Sequence, residues 1–375
     1  MTHIEDYFMS RFVQLHLLTS YPPANLNRDD LGRPKTAIMG GKPRLRVSSQ
    51  SLKRAWRTSD VFAESLKGHI GTRTKELGVE VFKALQAQGV TKKDAMDWAK
   101  AIAEQFGKLK TLSATDKKRL KELEGDAKQA LALKEVEVEQ LVHVSPEERQ
   151  LVDDLVASLA ERNSGPDKEE LALLRRQHTA ADIALFGRML ASKPLFNTEA
   201  AAQVAHAVSV HSVAVEDDFF TAVDDLNNGE DDAGAAHLGD TEFAAGLFYL
   251  YLCIDKELLV KNLSGDEALA NKTLAALIES AATVSPSGKQ NSFASRARAS
   301  YIRCETGSQQ PRSLSVAFLK PVYSNDMLSA AIYELEKTAK NMEAVYGPCV
   351  DQFSCLNAMT AEGSLAAVIQ CATEA

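Results

Sequence analysis

The chain has 375 residues, of which 45% are hydrophobic and 25% charged. At about 150 residues per domain this suits two domains, or one domain with a large insertion, and it excludes wholesale disorder, collagen-like structure and a disulfide scaffold. The formal charge of -8 counts against indiscriminate nucleic-acid binding, because affinity for phosphate comes from Lys and Arg.

The charge is unevenly placed, however. Between Arg28 and Arg57 stand nine basic residues and two acidic ones, a net of +7, so the rest of the chain carries -15. An acidic protein with one concentrated basic stretch is built for a defined polyanion site. The longest unbroken apolar run, Phe243 to Ile254, is 12 residues and too short to span a bilayer. Glu5, Asp6 and Arg11 interrupt the N-terminus where a secretory signal needs an apolar stretch. The expectation is a cytoplasmic protein with no membrane partner. Five cysteines, an odd number with no CxxC pair, point to neither disulfides nor a zinc site.

Taken in order, Phe12 to Leu18 alternates with Val13, Leu15 and Leu17 on one side, the period of a strand. Tyr21-Pro22-Pro23 is expected to end it, and Pro34, Gly40-Gly41 and Pro43 make residues 21–43 a long loop. Arg44 to Val47 reads as a short strand with Leu45 and Val47 inward, and Ser48 or Ser49 as the cap of the next helix. That helix, Gln50 to Phe62, sets Gln50, Lys53, Arg54 and Arg57 on one face and Leu52, Ala55, Trp56, Ser59 and Phe62 on the other. A serine-capped helix start also offers backbone amides to a phosphate.

From Asp60 to about His178 the composition predicts an all-helical insertion. Strand patterns resume at Val204 to Val210, at Ala244 to Ile254, and where Leu314, Val316 and Phe318 alternate with Ser315 and Ala317; Met327 to Met342 reads as a helix. The sum is an α+β fold, a sheet domain interrupted by helices. Residues 211–240 hold nine acids and no Lys or Arg, punctuated by Phe219-Phe220, Val223 and Leu226, as in a protruding hairpin.

No HExxH, GxSxG, P-loop or GxGxxG motif is present, and the histidines lack ligand spacing. Asp29-Asp30 is the one carboxylate pair in the basic loop; it either braces neighbouring cations or binds a divalent ion for phosphodiester cleavage. No cofactor or metal site is expected.

The run Leu26-Asn27-Arg28-Asp29-Asp30, then Lys35, Gly40-Gly41-Lys42, Arg44, Arg46 and Ser48 to Ala55, closely resembles the CasC family, the repeated backbone subunit of the type I-E CRISPR surveillance complex, Cascade. Gly187-Arg188-Met189, Phe220 to Leu226, Ala236-His237-Leu238-Gly239 and Gly288-Lys289-Gln290 follow in family order. The resemblance implies an RRM-like palm (11–59 and 181–345), a large helical insertion or fingers (60–180), a protruding thumb hairpin (211–240) and a C-terminal segment (346–375). It implies a non-enzymatic subunit whose partners are guide RNA, a target DNA strand paired to that guide, further copies of itself and other Cascade subunits. Arg28, Lys35, Arg46, Ser48, Ser49, Gln50, Lys53, Arg54, Arg57 and Lys289 would hold the guide, with Arg188 and Met189 beside a displaced nucleotide. Phe219, Phe220, Val223, Leu226, His237 and Leu238 would form a wedge in the thumb. The alternative is a metal-dependent RNA-cleaving backbone subunit like those of type III effectors. Residues 291–312, with Arg296, Arg298, Arg303 and Arg312, match nothing in the pattern, and the acidic stretch 227–234 looks longer than the family's thumb.

Overall fold

The structure is a computed structural model that describes residues 10–222 and 237–374, with Ala222, His237 and Leu238 described by their backbone alone. In chain order the elements begin with β1 (Phe12–Ala24), β2 (Thr36–Met39), β3 (Lys42–Val47), α1 (Ser49–Arg57) and α2 (Asp60–Ser65). Then come β4 (Thr72–Thr74), α3 (Leu77–Ala87), α4 (Lys92–Phe106), α5 (Ala114–Glu122), α6 (Gly125–Ala132), β5 (Val142–Val144), α7 (Pro146–Arg162) and α8 (Ala181–Phe186). The last stretch holds β6 (Ala202–Val204), β7 (Ala207–Ser209), β8 (Glu216–Ala222), β9 (His237–Asp255), α9 (Lys256–Asn262), α10 (Glu267–Thr283), α11 (Gln290–Phe293), β10 (Tyr301–Gly307), α12 (Met327–Tyr346), β11 (Gln352–Asn357) and α13 (Leu365–Thr373). The α+β class is as expected from the sequence. The chain divides into two compact units, one of residues 1–65, 202–257 and 271–375, the other of 66–201 and 258–270.

The first unit is built on an antiparallel sheet in the order β11-β10-β1-β9-β7-β3-β2, with β6 and β8 also paired to β9. Successive side chains of a strand face opposite ways, and β1 is covered on both faces. Leu18 lies in one core with Tyr249, Leu314, Phe318 and Leu335 of α12, while Leu15 and Leu17 point to the other side and are equally buried. On that side Trp56, Leu52, Val47, Phe248 and Leu250 come together, which seats the apolar face of α1.

The polar half of the β1 alternation is buried as well. Gln14 accepts a hydrogen bond from Tyr251 Oη at 2.7 Å, and His16 is bonded to Tyr249 Oη at 2.9 Å and lies 3.3 Å from Glu305. Arg303 and Arg312 both donate to Glu305, at 2.7 and 2.8 Å, and Arg303 also pairs with Glu336 of α12. Burial is tolerated because the charges are matched by hydrogen bonds.

Several elements differ from the sequence reading. Strand β1 runs through Pro22-Pro23, since a register shift between Tyr21 and Ala24 takes the prolines out of the ladder and no N–H is missed. The expected loop 21–43 contains β2 and half of its hairpin with β3; Gly40 and Gly41, at φ +60° and +73°, form the turn. A Cβ on Gly40 would overlap the Leu319 carbonyl. The helix expected over 50–62 breaks into α1 and α2 because Thr58 and Ser59 hydroxyls donate to the carbonyls of Arg54 and Trp56 at 2.8 and 2.7 Å. Ser59 then accepts from the Phe62 amide at 3.2 Å. Leu314, Val316 and Phe318 are no strand: Ser315–Phe318 is a short 3-10 turn capped by Leu314, and Leu314 and Phe318, four apart, are buried while Val316 is exposed.

The second unit is not all-helical, because β4 and β5 pair antiparallel within it. Its core gathers Phe82, Trp98, Ile102, Phe106, Val152 and Leu159 from α3, α4 and α7. Helix α7 opens with Pro146 at its first turn and a reciprocal Ser145–Glu148 cap.

Candidate nucleic-acid interface

The basic segment folds into one surface of the first unit. The Ser48 backbone N–H donates to Asn27 Oδ1 at 2.9 Å, and Lys35 and Arg46 are joined main chain to main chain at 2.8 Å. These bonds bring the loop with Arg28 and Lys35, strand β3 with Arg46, and the start of α1 together. Ser48 is the N-cap, its hydroxyl accepting from the Ser51 N–H at 3.3 Å. It is buried, so it shapes the surface instead of standing on it.

The amides of Ser49, Ser51 and Leu52 already have acceptors: His206 Nδ1 at 2.8 Å, Ser48 Oγ, and the Ser48 carbonyl. The helix start is therefore less open to an anion than its serine cap suggested. Gln50 and Arg54 are exposed, and Ser49, Lys53 and Arg57 half-buried, opposite Leu52, Ala55 and Trp56. Burial lowers the pKa of the Lys53 ammonium.

His206 is a residue the sequence did not single out. Its exposed ring accepts at Nδ1, so the neutral tautomer carries its proton on Nε2. Burial, followed by Arg46 and Lys35, lowers its pKa. Only the fold could reveal it, since β6–β7 delivers it from 157 residues away.

Arg44, one of the nine cations, faces inward. Its guanidinium donates to the carbonyls of Ser209 and Phe318 at 2.8 Å each, and burial lowers its pKa. It fixes β3 and takes no part in the exposed charge.

Asp29 Oδ1 accepts the amides of Leu31 and Arg33, each at 2.9 Å, closing a local turn, and Asp30 is exposed. Lys289, at φ +45°, donates to Thr241 Oγ1 at 3.1 Å. Gly288 before it lies so close to the Leu26 carbonyl that a Cβ would overlap it. That approach seats the 287–289 loop against the Arg28 loop, and Asn27, Arg28, Asp29, Ser51 and Ser287 line a cavity of about 470 Å³ there.

Arg188 and Met189 belong to the second unit. Arg188 requires correction as a nucleotide contact: its side chain is 1% exposed, paired with Glu148 at 2.7 Å, and donates to the carbonyls of His143, Phe196 and Arg175. A buried cation so saturated is structural. Met189 is 77% exposed and lines a cavity of about 280 Å³ with Phe106 and Leu141.

In β8, Phe219 and Phe220 are both exposed, and β8 pairs with the start of β9 from Glu216↔Phe243 to Ala222↔His237. Val223 and Leu226 lie outside the described residues, as does the stretch 227–234; His237 and Leu238 are placed by that backbone register only. Among the described residues no group of three His, Cys, Asp or Glu could hold a metal ion, and no helix is long and apolar enough to cross a membrane.

An α+β protein that aligns Arg, Lys, Gln and Ser on one face of a short helix, beside a basic loop, has the make-up of the polyanion-binding class. The chain belongs to the CT1975-like protein family, whose model matches residues 13–372. It is similar to a chain of a pre-nicking CRISPR RNA-guided surveillance complex, with 31% identity, a TM-score of 0.75, and 92% of this chain and 90% of that one covered. A chain of a second CRISPR RNA-guided surveillance complex matches at 26% identity and a TM-score of 0.57, covering 95% of this chain and 92% of that one. No curated protein matches it. The family resemblance seen in the Asn27-to-Ala55 block is thus borne out over most of the chain.

Proposed function

We propose that this chain is a non-enzymatic backbone subunit of a type I-E CRISPR surveillance complex, Cascade: it binds guide RNA along its phosphates, stacks with further copies of itself and other subunits, and presents the guide for pairing with a target DNA strand. The observation that carries the reading is the single surface shared by Arg28, Lys35, Arg46, Gln50 and Arg54, in a chain whose relatives sit in RNA-guided complexes. Such a subunit leaves sequence reading to guide–target pairing and needs only donors at phosphate spacing. In this reading the sheet of the first unit is an RRM-like palm, the second unit contains the fingers, and the β8–β9 hairpin is the thumb. Phe219 and Phe220, exposed among acids, act there by shape, as an apolar wedge that unstacks bases at a cost of a few kcal/mol per step. The palm and the hairpin are different surfaces, so contacts between copies are heterologous and repeat without closing.

The test is salt-dependent binding of single-stranded RNA. Lys53→Ala with Arg54→Ala should weaken binding and reduce the slope of log K against log salt by about 0.7 for each phosphate that is no longer neutralised. An unchanged slope would remove α1 from the interface. Sequencing the RNA that co-purifies should return repeat-derived guides; a mixture of cellular RNAs would point to a general RNA-binding protein.

A further inference from the structure

We infer that Arg296 and Arg298 form a second phosphodiester-binding track in the first unit, joined to the surface around α1. This deepens the nucleic-acid reading above and rests on it. The two arginines flank Ala297 and are exposed, and neither side chain has a hydrogen bond or ion pair among the described residues. Their positions are nevertheless fixed. Ser285 Oγ accepts the Ala297 amide at 2.7 Å and donates to its carbonyl at 3.0 Å, so the backbone between the two cations is clamped. The buried Ser295 hydroxyl donates to Gln290 Oε1 at 2.9 Å, and Ala299 is tied to the Ala282 carbonyl at 2.8 Å.

The clamped segment forms one wall of a groove of about 640 Å³ whose other wall is the end of α1 and the start of α2. Ala55, Thr58, Ser287, Arg296 and Arg298 line it, and Asp60 is its one carboxylate among the described residues. Ser287 also lines the cavity beside Arg28, whose helix wall is Ser51. Ser51 and Ala55 of α1 and Thr58, the residue that caps its end, fall four and three apart along one stripe, so the two hollows follow the same side of the helix and meet at Ser287. From Ser51 to Thr58 that stripe is about 10 Å long at 1.5 Å per residue. A stacked strand places a phosphate about every 3.4 Å, so a backbone leaving the Arg28 loop reaches the arginines within roughly three phosphates. Two unpaired arginines against one acid give the groove the sign a polyanion needs, and their forked donors match phosphate oxygens. The phosphates come from the guide RNA or from the target DNA strand; the chemistry is shared.

The test uses the full chain and its guide-loaded assembly. Wild type, R296A/R298A, R296K/R298K and K53A/R54A are compared by fluorescence anisotropy with single-stranded RNA across a salt series, and the assemblies with complementary single-stranded DNA. R296A/R298A should fold normally by circular dichroism, bind roughly tenfold more weakly, and lose about 1.4 from the salt slope, with the lysine pair largely restoring the slope. Loss on free RNA assigns the track to the guide; intact RNA binding with loss only on DNA assigns it to the target. Unchanged slopes on both strands in R296A/R298A, with K53A/R54A impaired, overturn the second track alone. A wild-type chain that binds neither strand overturns this inference together with the function on which it rests.

Discussion

The backbone N–H of Ser48 donates to the side-chain oxygen of Asn27 at 2.9 Å, and that one bond couples the loop carrying Arg28 to the helix carrying Lys53 and Arg54. Neither residue is charged, yet the relative placement of the cations depends on them. Asn27→Ala should lower RNA affinity about fivefold, in line with roughly 1 kcal/mol for a lost hydrogen bond. The salt slope should stay at the wild-type value because no cation has been removed. Binding isotherms at several salt concentrations decide it, and a reduced slope would mean that Asn27 does not act by position.

The buried ion pair of Arg188 and Glu148 gives the opposite kind of prediction. Arg188→Met strands Glu148 in the interior of the second unit, at 0% exposure, and should cost about 3–5 kcal/mol of stability in urea unfolding. RNA affinity per folded molecule should be unchanged. Full stability with impaired RNA binding would reinstate Arg188 as a nucleotide contact.

Which parts of this were readable beforehand follows from periodicity and its failures. Helix α1 was legible because Leu52, Ala55 and Trp56 are buried on one face while Gln50 and Arg54 are exposed; a half-buried helix writes its environment into its spacing. Strand β10 was not, since all seven of its residues are buried and the two charged ones, Arg303 and Glu305, satisfy each other inside. A strand covered on both faces is not obliged to alternate, and the charges of this one mislead. The same internal pairing disguised Arg44 and Arg188, which look like surface cations in sequence and are held by backbone carbonyls in the fold. His206 carried no signal at all, because its role depends on a partner distant along the chain.

The Glu305 cluster makes stability sensitive to acid. Burial pushes the Glu305 carboxyl up, but hydrogen bonds from His16 and Arg303 outweigh it and hold it at about 2. A carboxyl depressed in the folded state contributes stability that is present above its unfolded value near 4.5 and is lost as pH falls toward 2. The amount is about 3 kcal/mol. Burial lowers the pKa of His16 as well, so protonation of that ring in the unfolded chain begins the loss below about 6.5. Unfolding free energies measured from pH 7 to pH 3 should therefore fall more steeply for wild type than for Glu305→Gln. Parallel curves would show that Glu305 is not the group being protonated.

Asp29 and Asp30 bear on whether the basic loop cuts RNA. A two-metal site brings several carboxylates to ions about 4 Å apart. Here Asp29 Oδ1 is engaged by the amides of Leu31 and Arg33, Asp30 stands exposed beside it, and among the described residues Asp29 and Asp30 are the only carboxylates lining the adjoining cavity. The geometry suits a brace for Arg28 better than a metal ligand. Purified guide-loaded complex, incubated with complementary RNA or DNA in Mg²⁺ or Mn²⁺ and with no recruited nuclease, should leave both strands intact. Asp29→Ala should weaken guide binding about threefold by releasing the turn, roughly the worth of one modest hydrogen bond, whereas Asp30→Ala should leave binding unchanged. Cleavage at regular intervals that disappears in Asp29→Ala or Asp30→Ala would overturn the non-enzymatic reading and favour a metal-dependent RNA-cleaving subunit of the type III kind.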